Sequence, residues 1–291
     1  MDFNAAMAQA WNDHADAPKD VAARWPELSA LVLDESQVER LAALMHHVHG
    51  AHLGEWQRGG EALQSLRALG AFREAGSSGQ SLRRTLASLA ACAGTPAAAD
   101  ALSASDRIRV GAMAAESLGT HDPARAAAML RQTLDLAQRS GLPDDDPMHR
   151  SVAAAANNLA STFEAKPDRS EDERTLMILA AQSARHHWER AGTWLEVERA
   201  EYRLAMTWLQ AADLAQARHH AQTCLEIVDA HDGPALERLF GWEALGRVER
   251  AAGNEVGHQR ALAMARAALA ELPAEDQAWC AASVEQLAAA R

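Results

Sequence analysis

Between residues 197 and 273 the apolar positions recur three or four apart, cross a short polar break, and then do the same again. In the first run, Leu204, Ala205 and Trp208 fall on one face, and Ala217, Ala221 and Cys224 on another beyond the break at Ala212–Leu214. That spacing predicts one buried stripe on each of two antiparallel helices. Asp213 stands at the break as an N-cap whose carboxylate accepts from the free N–H groups opening the second helix, and Gln216 completes a capping-box pattern. The second run carries Trp242, Leu245, Gly246, Gly253, Ala261, Ala265, Ala268 and Pro273. Small residues at Ala217, Ala221, Ala261 and Ala265 let helix axes approach closely.

The same phase extends upstream. Leu159, Ala160 and Phe163 form a first-helix face followed by Met177, Ala181 and Ala184, and a fainter pair has Met113 and Ala114, then Ala126, Leu130 and Thr133. Ser170-x-x-Glu173 and Thr193-x-x-Glu196 are capping boxes, with Gly192 between them as a helix stop. Nearer the N-terminus, Phe3, Met7, Ala10, Trp11 and His14 share one face, and Pro18 opens a helix carrying Val21 and Trp25. A further helix buries Val38, Leu41, Met45, Val48 and His52, and Gly50 and Gly54 loosen it before a partner with Trp56, Leu63 and Leu66. Residues 70–79 read as a linker. The expected organisation is an N-terminal helical cap with divergent hairpins over 1–95, helical repeats over 96–273, and a capping helix over 274–291 carrying Cys280, Val284 and Leu287.

Trp242-x-x-Leu245-Gly246, followed by Ala261, Ala265, Ala268 and Pro273, resembles the tetratricopeptide repeat signature, and Leu204, Ala205 and Trp208 match it in the preceding unit. Two positions depart from it: Glu201 stands where the first Trp belongs and Glu249 where an aromatic belongs. The interval from Met177 to Ala217 to Ala261 is about forty residues against the family's thirty-four. That resembles the long-helix variety found in bacterial signalling and regulatory proteins. The resemblance implies an all-α fold, a right-handed superhelix, or solenoid, of antiparallel helix pairs.

Composition narrows the function. With 48% hydrophobic and 23% charged residues in 291, the chain has enough apolar material for a large core. Its formal net charge of −12 excludes a globally basic surface, so neither nucleic acid nor an anionic membrane is an expected partner. Cys92, Cys224 and Cys280 form no metal or redox motif and suit a reducing cytoplasm. No stretch reaches membrane-spanning length, and the N-terminus has no basic segment followed by an apolar run.

Catalytic motifs are absent from the sequence: no P-loop, His-Glu-x-x-His, Cys-x-x-Cys, nucleophile elbow or dinucleotide fingerprint occurs. No catalytic residue and no cofactor is therefore expected. Histidines do cluster, and His46, His49 and His52 step by three along one predicted helix. His47 points to the opposite side of that helix, and no carboxylate lies within the same turns. These histidines are expected to be metal-free. Most of the eight tryptophans are expected in the core, with Trp188 and Trp194 as the surface exceptions.

In the tetratricopeptide family, first helices line a groove that holds a peptide or a partner's helix. Carried onto this chain, that face selects Asn157 and Ser161, then Arg199, Tyr202, Arg203 and Met206, then Arg247 and Arg250. The arginines offer planar forks to carboxylates, which makes an acidic or C-terminal segment the expected partner. As surface residues, Arg247 and Arg250 are expected to tolerate reversal to glutamate without loss of stability. The expected function is a non-enzymatic cytoplasmic scaffold or receptor, with the oligomeric state left open. The alternatives are a small-molecule or signalling-peptide sensor of the same fold, and a metal-dependent enzyme using the His46–His52 cluster.

Overall fold

A computed structural model of the chain describes residues 2–289, apart from the side chains at 96 and 97. Among the described residues it is all-helical, with 15 α-helices and no strand. No helix there is long and apolar enough to cross a membrane. The chain divides into two compact units, one up to Ala155 and one from Ala156.

The N-terminal unit opens with α1 (Phe3–Asp13), α2 (Pro18–Ala23), α3 (Trp25–Ala30) and α4 (Glu35–His47). A π-helical turn, Val48–His52, then leads to α5 (Trp56–Gln64) and α6 (Ser77–Cys92). Met7 from α1, Val21 from α2, Leu28 from α3, Leu41 and Met45 from α4, Leu63 from α5 and Leu82 from α6 meet in one apolar cluster. Each such side chain taken fully out of water contributes about 1.5–3 kcal/mol. The unit continues with the hairpin α7 (Ala104–Leu118) and α8 (Pro123–Ser140), and the unit boundary falls within α9 (Pro147–Glu164).

The C-terminal unit holds α10 (Glu171–Ala191), α11 (Trp194–Gln210), α12 (Leu214–Ala230), α13 (Ala235–Ala251), α14 (Glu255–Glu271) and α15 (Ala274–Ala288). Helices α11 to α14 are each 17 residues long, as two copies of one hairpin require. Two of the three expected capping boxes form, Ser170 with Glu173 and Thr193 with Glu196; at Asp213 only one half is made, its carboxylate accepting from Gln216 N–H. Ala217, Ala221, Ala261 and Ala265 are fully buried, so the small positions do bring the paired helices together. Each helix packs on the next, and α11 and α13 also touch α13 and α15 respectively. The unit is a helical-repeat stack.

The two positions that depart from the repeat signature have a common explanation. Glu201 is buried and lies 2.6 Å from both Arg185 Nε and His220 Nδ1. Glu249 is buried too, accepting from Arg218 at 2.7 and 3.0 Å and from Asn254 at 2.7 Å. A polar clasp between neighbouring helices thus replaces aromatic packing. Burial opposes ionisation of Glu201, but the hydrogen bonds from His220 and Arg185 hold its pKa below the usual value.

Both hairpins turn through the same device. Ala212 (φ 63°) and Gly253 (φ 71°) are left-handed and precede the N-caps Asp213 and Asn254. Asp213 Oδ1 accepts from Gln216 N–H at 3.1 Å, and Asn254 Oδ1 from Gly257 N–H at 3.2 Å. A Cβ in this region is unfavourable, whereas glycine enters it freely. Ala212→Gly should therefore stabilise the protein by about 0.5–1 kcal/mol and Gly253→Ala destabilise it by about 1 kcal/mol or more. Urea denaturation midpoints of the two variants check the opposite signs.

Candidate functional site

In the C-terminal unit the last turns of α9 lie beside α11, α11 beside α13, and α13 beside α15, joined by side chains that reach across each seam. At the first seam Glu164 accepts from Arg203 and, at 2.5 Å, from Thr207 Oγ1. At the second, Arg199 Nη2 donates to the buried Glu237 at 2.6 Å, and Tyr202 OH donates to the buried Glu243 at 3.1 Å. Glu243 also accepts from Arg247. At the third, Arg250 donates to the carbonyls of Gln286, Leu287 and Ala289 at 3.1–3.2 Å, closing the C-terminal end of α15.

All eight residues singled out from the sequence thus lie on α9, α11 and α13. Asn157 and Ser161 are half-buried, and Met206 is buried. The four arginines are all engaged. Arg203 and Arg247 pair with glutamates, Arg199 does so while its side chain stays 57% exposed, and Arg250 caps a helix. Three of the four are paired with glutamates inside the molecule, which weakens the positive field expected of this face from sequence, while Arg250 has only carbonyl acceptors there. Reversing Arg247 to glutamate would also leave Glu243 in the interior with the Tyr202 hydroxyl but no guanidinium. Breaking such a pair costs about 3–5 kcal/mol, so the expected indifference of stability to this reversal does not hold.

Sequence reasoning passed over two residues of this face. Tyr202 on α11, Phe240 on α13 and Trp279 on α15 form an edge-on aromatic ladder, with ring centroids 6.0 and 5.7 Å apart. Trp279 is 66% exposed. No repeated aromatic position marked the ladder in the sequence, since Tyr202 and Phe240 sit three residues apart in repeat phase and Trp279 lies beyond the last recognisable repeat. Next to Tyr202, an open cleft of about 410 Å³ is lined by Met206, Leu209, Gln210, Arg247, Arg250, Ala251, Gln286 and Ala289. Of the eight tryptophans only Trp25 is buried, while Trp188 and Trp194 are half-buried, so the expectation of a largely buried set is corrected.

In the N-terminal unit the histidines part company with the helical-wheel expectation. His46 Nε2 lies 2.9 Å from Ser88 Oγ, and His49 Nε2 accepts from Trp25 Nε1 at 3.1 Å, so both are taken up by buried partners. His47, expected to diverge, lies against His52 instead, with the two Nε2 atoms 3.1 Å apart. The cause is the π turn, in which Leu53 N–H bonds to Val48 O at 3.0 Å and residues five apart come into register. His14, at the C-terminal end of α1, completes a trio whose ligand-capable atoms all lie within 4.8 Å of one another. Burial, reinforced by the neighbouring imidazoles, pushes the His47 pKa down to about 3, and His52 is lowered for the same reasons.

Beneath the ladder lies a carboxyl group of another kind. Glu198 is buried, and Cys224 Sγ–H donates to it at 2.7 Å. Burial, with the Glu237 carboxylate adding to it against the thiol's hydrogen bond, pushes Glu198 up to about 8 from 4.5. Between those values the folded state binds a proton that the unfolded state has released. This group's contribution to stability is therefore complete below about pH 4.5 and is lost as pH rises toward 8. Glu198→Gln, which cannot ionise, should lose this component, so its stability relative to wild type should increase from pH 6 to pH 8.5 in urea denaturation.

Comparison with family models, with curated proteins and with solved structures finds no match to this chain.

Proposed function

We propose that the C-terminal unit is a non-enzymatic, tetratricopeptide-like scaffold that docks a segment of a partner protein across the first-helix face of α11, α13 and α15. The aromatic ladder carries this reading. Tyr202, Phe240 and Trp279 step from one first helix to the next, as a bound segment crossing the repeats would need, and Trp279 is left largely in solvent. Large rigid aromatics give contact area at low conformational cost, and an exposed tryptophan is the kind of anchor on which binding energy concentrates.

The charge pattern modifies the partner. Arg203 and Arg247 are committed to glutamates, so the face selects apolar side chains first, and an acidic group on the segment finds its best contact at the half-open Arg199. On this reading the hairpins wind into a right-handed superhelix, and docking is transmitted as a small change in its pitch. A cytoplasmic location belongs to the same proposal, supported by the three buried free thiols Cys92, Cys224 and Cys280.

The test uses peptides selected from a displayed random library against the full chain. The selected peptides should be rich in apolar residues and lose about tenfold or more in affinity against Trp279→Ala, a change of about 1.4 kcal/mol. Equal affinity for a folded Trp279→Ala, or no enrichment at all, overturns the assignment.

A further inference from the structure

We propose that His14, His47 and His52 form a three-histidine site for a divalent transition-metal ion of the zinc class. The argument starts from the backbone. In an α-helix, residues five apart are rotated well away from each other, because 3.6 residues complete a turn. The π turn over Val48–His52 undoes that rotation and stacks His52 on His47. Such wide turns are rare and are found frequently at functional sites. Two glycines make this one practicable. A Cβ at Gly50 would stand 2.5 Å from Ser117 Oγ, so the turn lies tight against α7, and Gly54 leaves it at a left-handed φ of 63°.

The ring orientations favour coordination. His14 Nδ1 faces the Trp11 carbonyl, so the proton sits on Nδ1 and the lone pair on Nε2. His47 Nδ1 lies 3.5 Å from Glu116 Oε1 on α7, which draws its N–H toward the carboxylate and leaves Nε2 free. A carboxylate behind a ligating imidazole is the outer contact that fixes tautomer and raises ligand basicity at metal sites. The third ring, His52, then presents Nε2 to His47 Nε2 at 3.1 Å. With Nδ1–H on His47, that contact sets a lone pair against His52, which either an N–H from His52 or a shared cation can satisfy.

Dimensions agree. Tetrahedral zinc holds nitrogen at about 2.0–2.1 Å, which places ligand nitrogens about 3.4 Å apart. The His47–His52 pair is already at 3.1 Å, and the whole trio lies within 4.8 Å, so small ring rotations close the set. Imidazole donors suit zinc, copper, nickel and iron and disfavour calcium and magnesium. Three protein ligands leave one position for water or an added ligand. All three rings are only partly buried, so an ion can enter, and Trp11 covers one side at 5.1 Å from His14 and 5.4 Å from His47. His121 stays outside the set because its Nε2 is engaged with the Ala51 carbonyl at 3.0 Å. A bound ion would tie the end of α1 to the junction of α4 with the π turn.

The experiment titrates Zn²⁺ and, as a spectroscopic probe, Co²⁺ into chelator-treated full chain purified without an affinity tag. The proposal predicts one equivalent bound with micromolar affinity or better, and visible absorption bands of four- or five-coordinate cobalt that shift when free imidazole is added. His14→Ala and His52→Ala should each weaken binding at least tenfold, and Glu116→Gln should weaken it about ten- to a hundredfold. His219→Ala, at an exposed site in the other unit, should change nothing. The wild-type cobalt spectrum stands independently of whether any variant folds. Absence of stoichiometric binding by wild type, or binding that survives loss of both His14 and His52, overturns the proposal.

Discussion

Where the helices of the C-terminal unit meet, three glutamates are held in or near the interior by a guanidinium that reaches each of them, whereas Glu198, met only by a thiol, keeps its proton. Glu164 is held by Arg203, Glu237 by Arg199, and Glu243 by Arg247 with the Tyr202 hydroxyl. Removing an ion from water costs several kcal/mol, and only a well-placed partner offsets it. The alignment of α9, α11 and α13 is therefore strongly specified. Sliding one helix by a turn would strand at least one buried carboxylate, whereas the alanine stripes alone would tolerate several registers. The apolar stripes supply most of the driving force and the ion pairs select among the packings it permits.

The local features were legible in the sequence. Caps, stops and small positions depend on residues within a turn or two, and Ser170, Thr193, Asp213, Ala217 and Ala261 all act as their spacing indicates. The state of the arginines was not legible, because each partner except Glu243 lies tens of residues away on another helix and a free surface arginine has the same sequence signature. The fully buried Glu237 and Glu243 were invisible for a related reason: a helical wheel gives angle, not the neighbour that makes burial of a charge tolerable.

The histidines illustrate a different limit. Helical phase turns His47 away from His49 and His52. Yet the phase assumes a constant step per residue, and the π turn at Val48–His52 changes the step just where the histidines lie. Gly50 and Gly54 hinted that the helix loosens there, though not that it widens. His14 joins only through the packing of α1, which no local pattern on α4 reveals. The two candidate sites thus differ in kind: one is an open face built on repeated regular hairpins, the other a convergence created by one irregular turn.

The central claim is that buried ion pairs set the first-helix layer and commit Arg203 and Arg247 to glutamates within the molecule. A double-mutant cycle on Glu164 and Arg203 tests it most directly, using Glu164→Gln, Arg203→Met and the double variant in urea denaturation. The pair should show a coupling energy of about 1 kcal/mol or more, with the losses of the two single variants summing to more than the loss of the double. Additive effects, with Arg203→Met alone leaving stability unchanged, would contradict it.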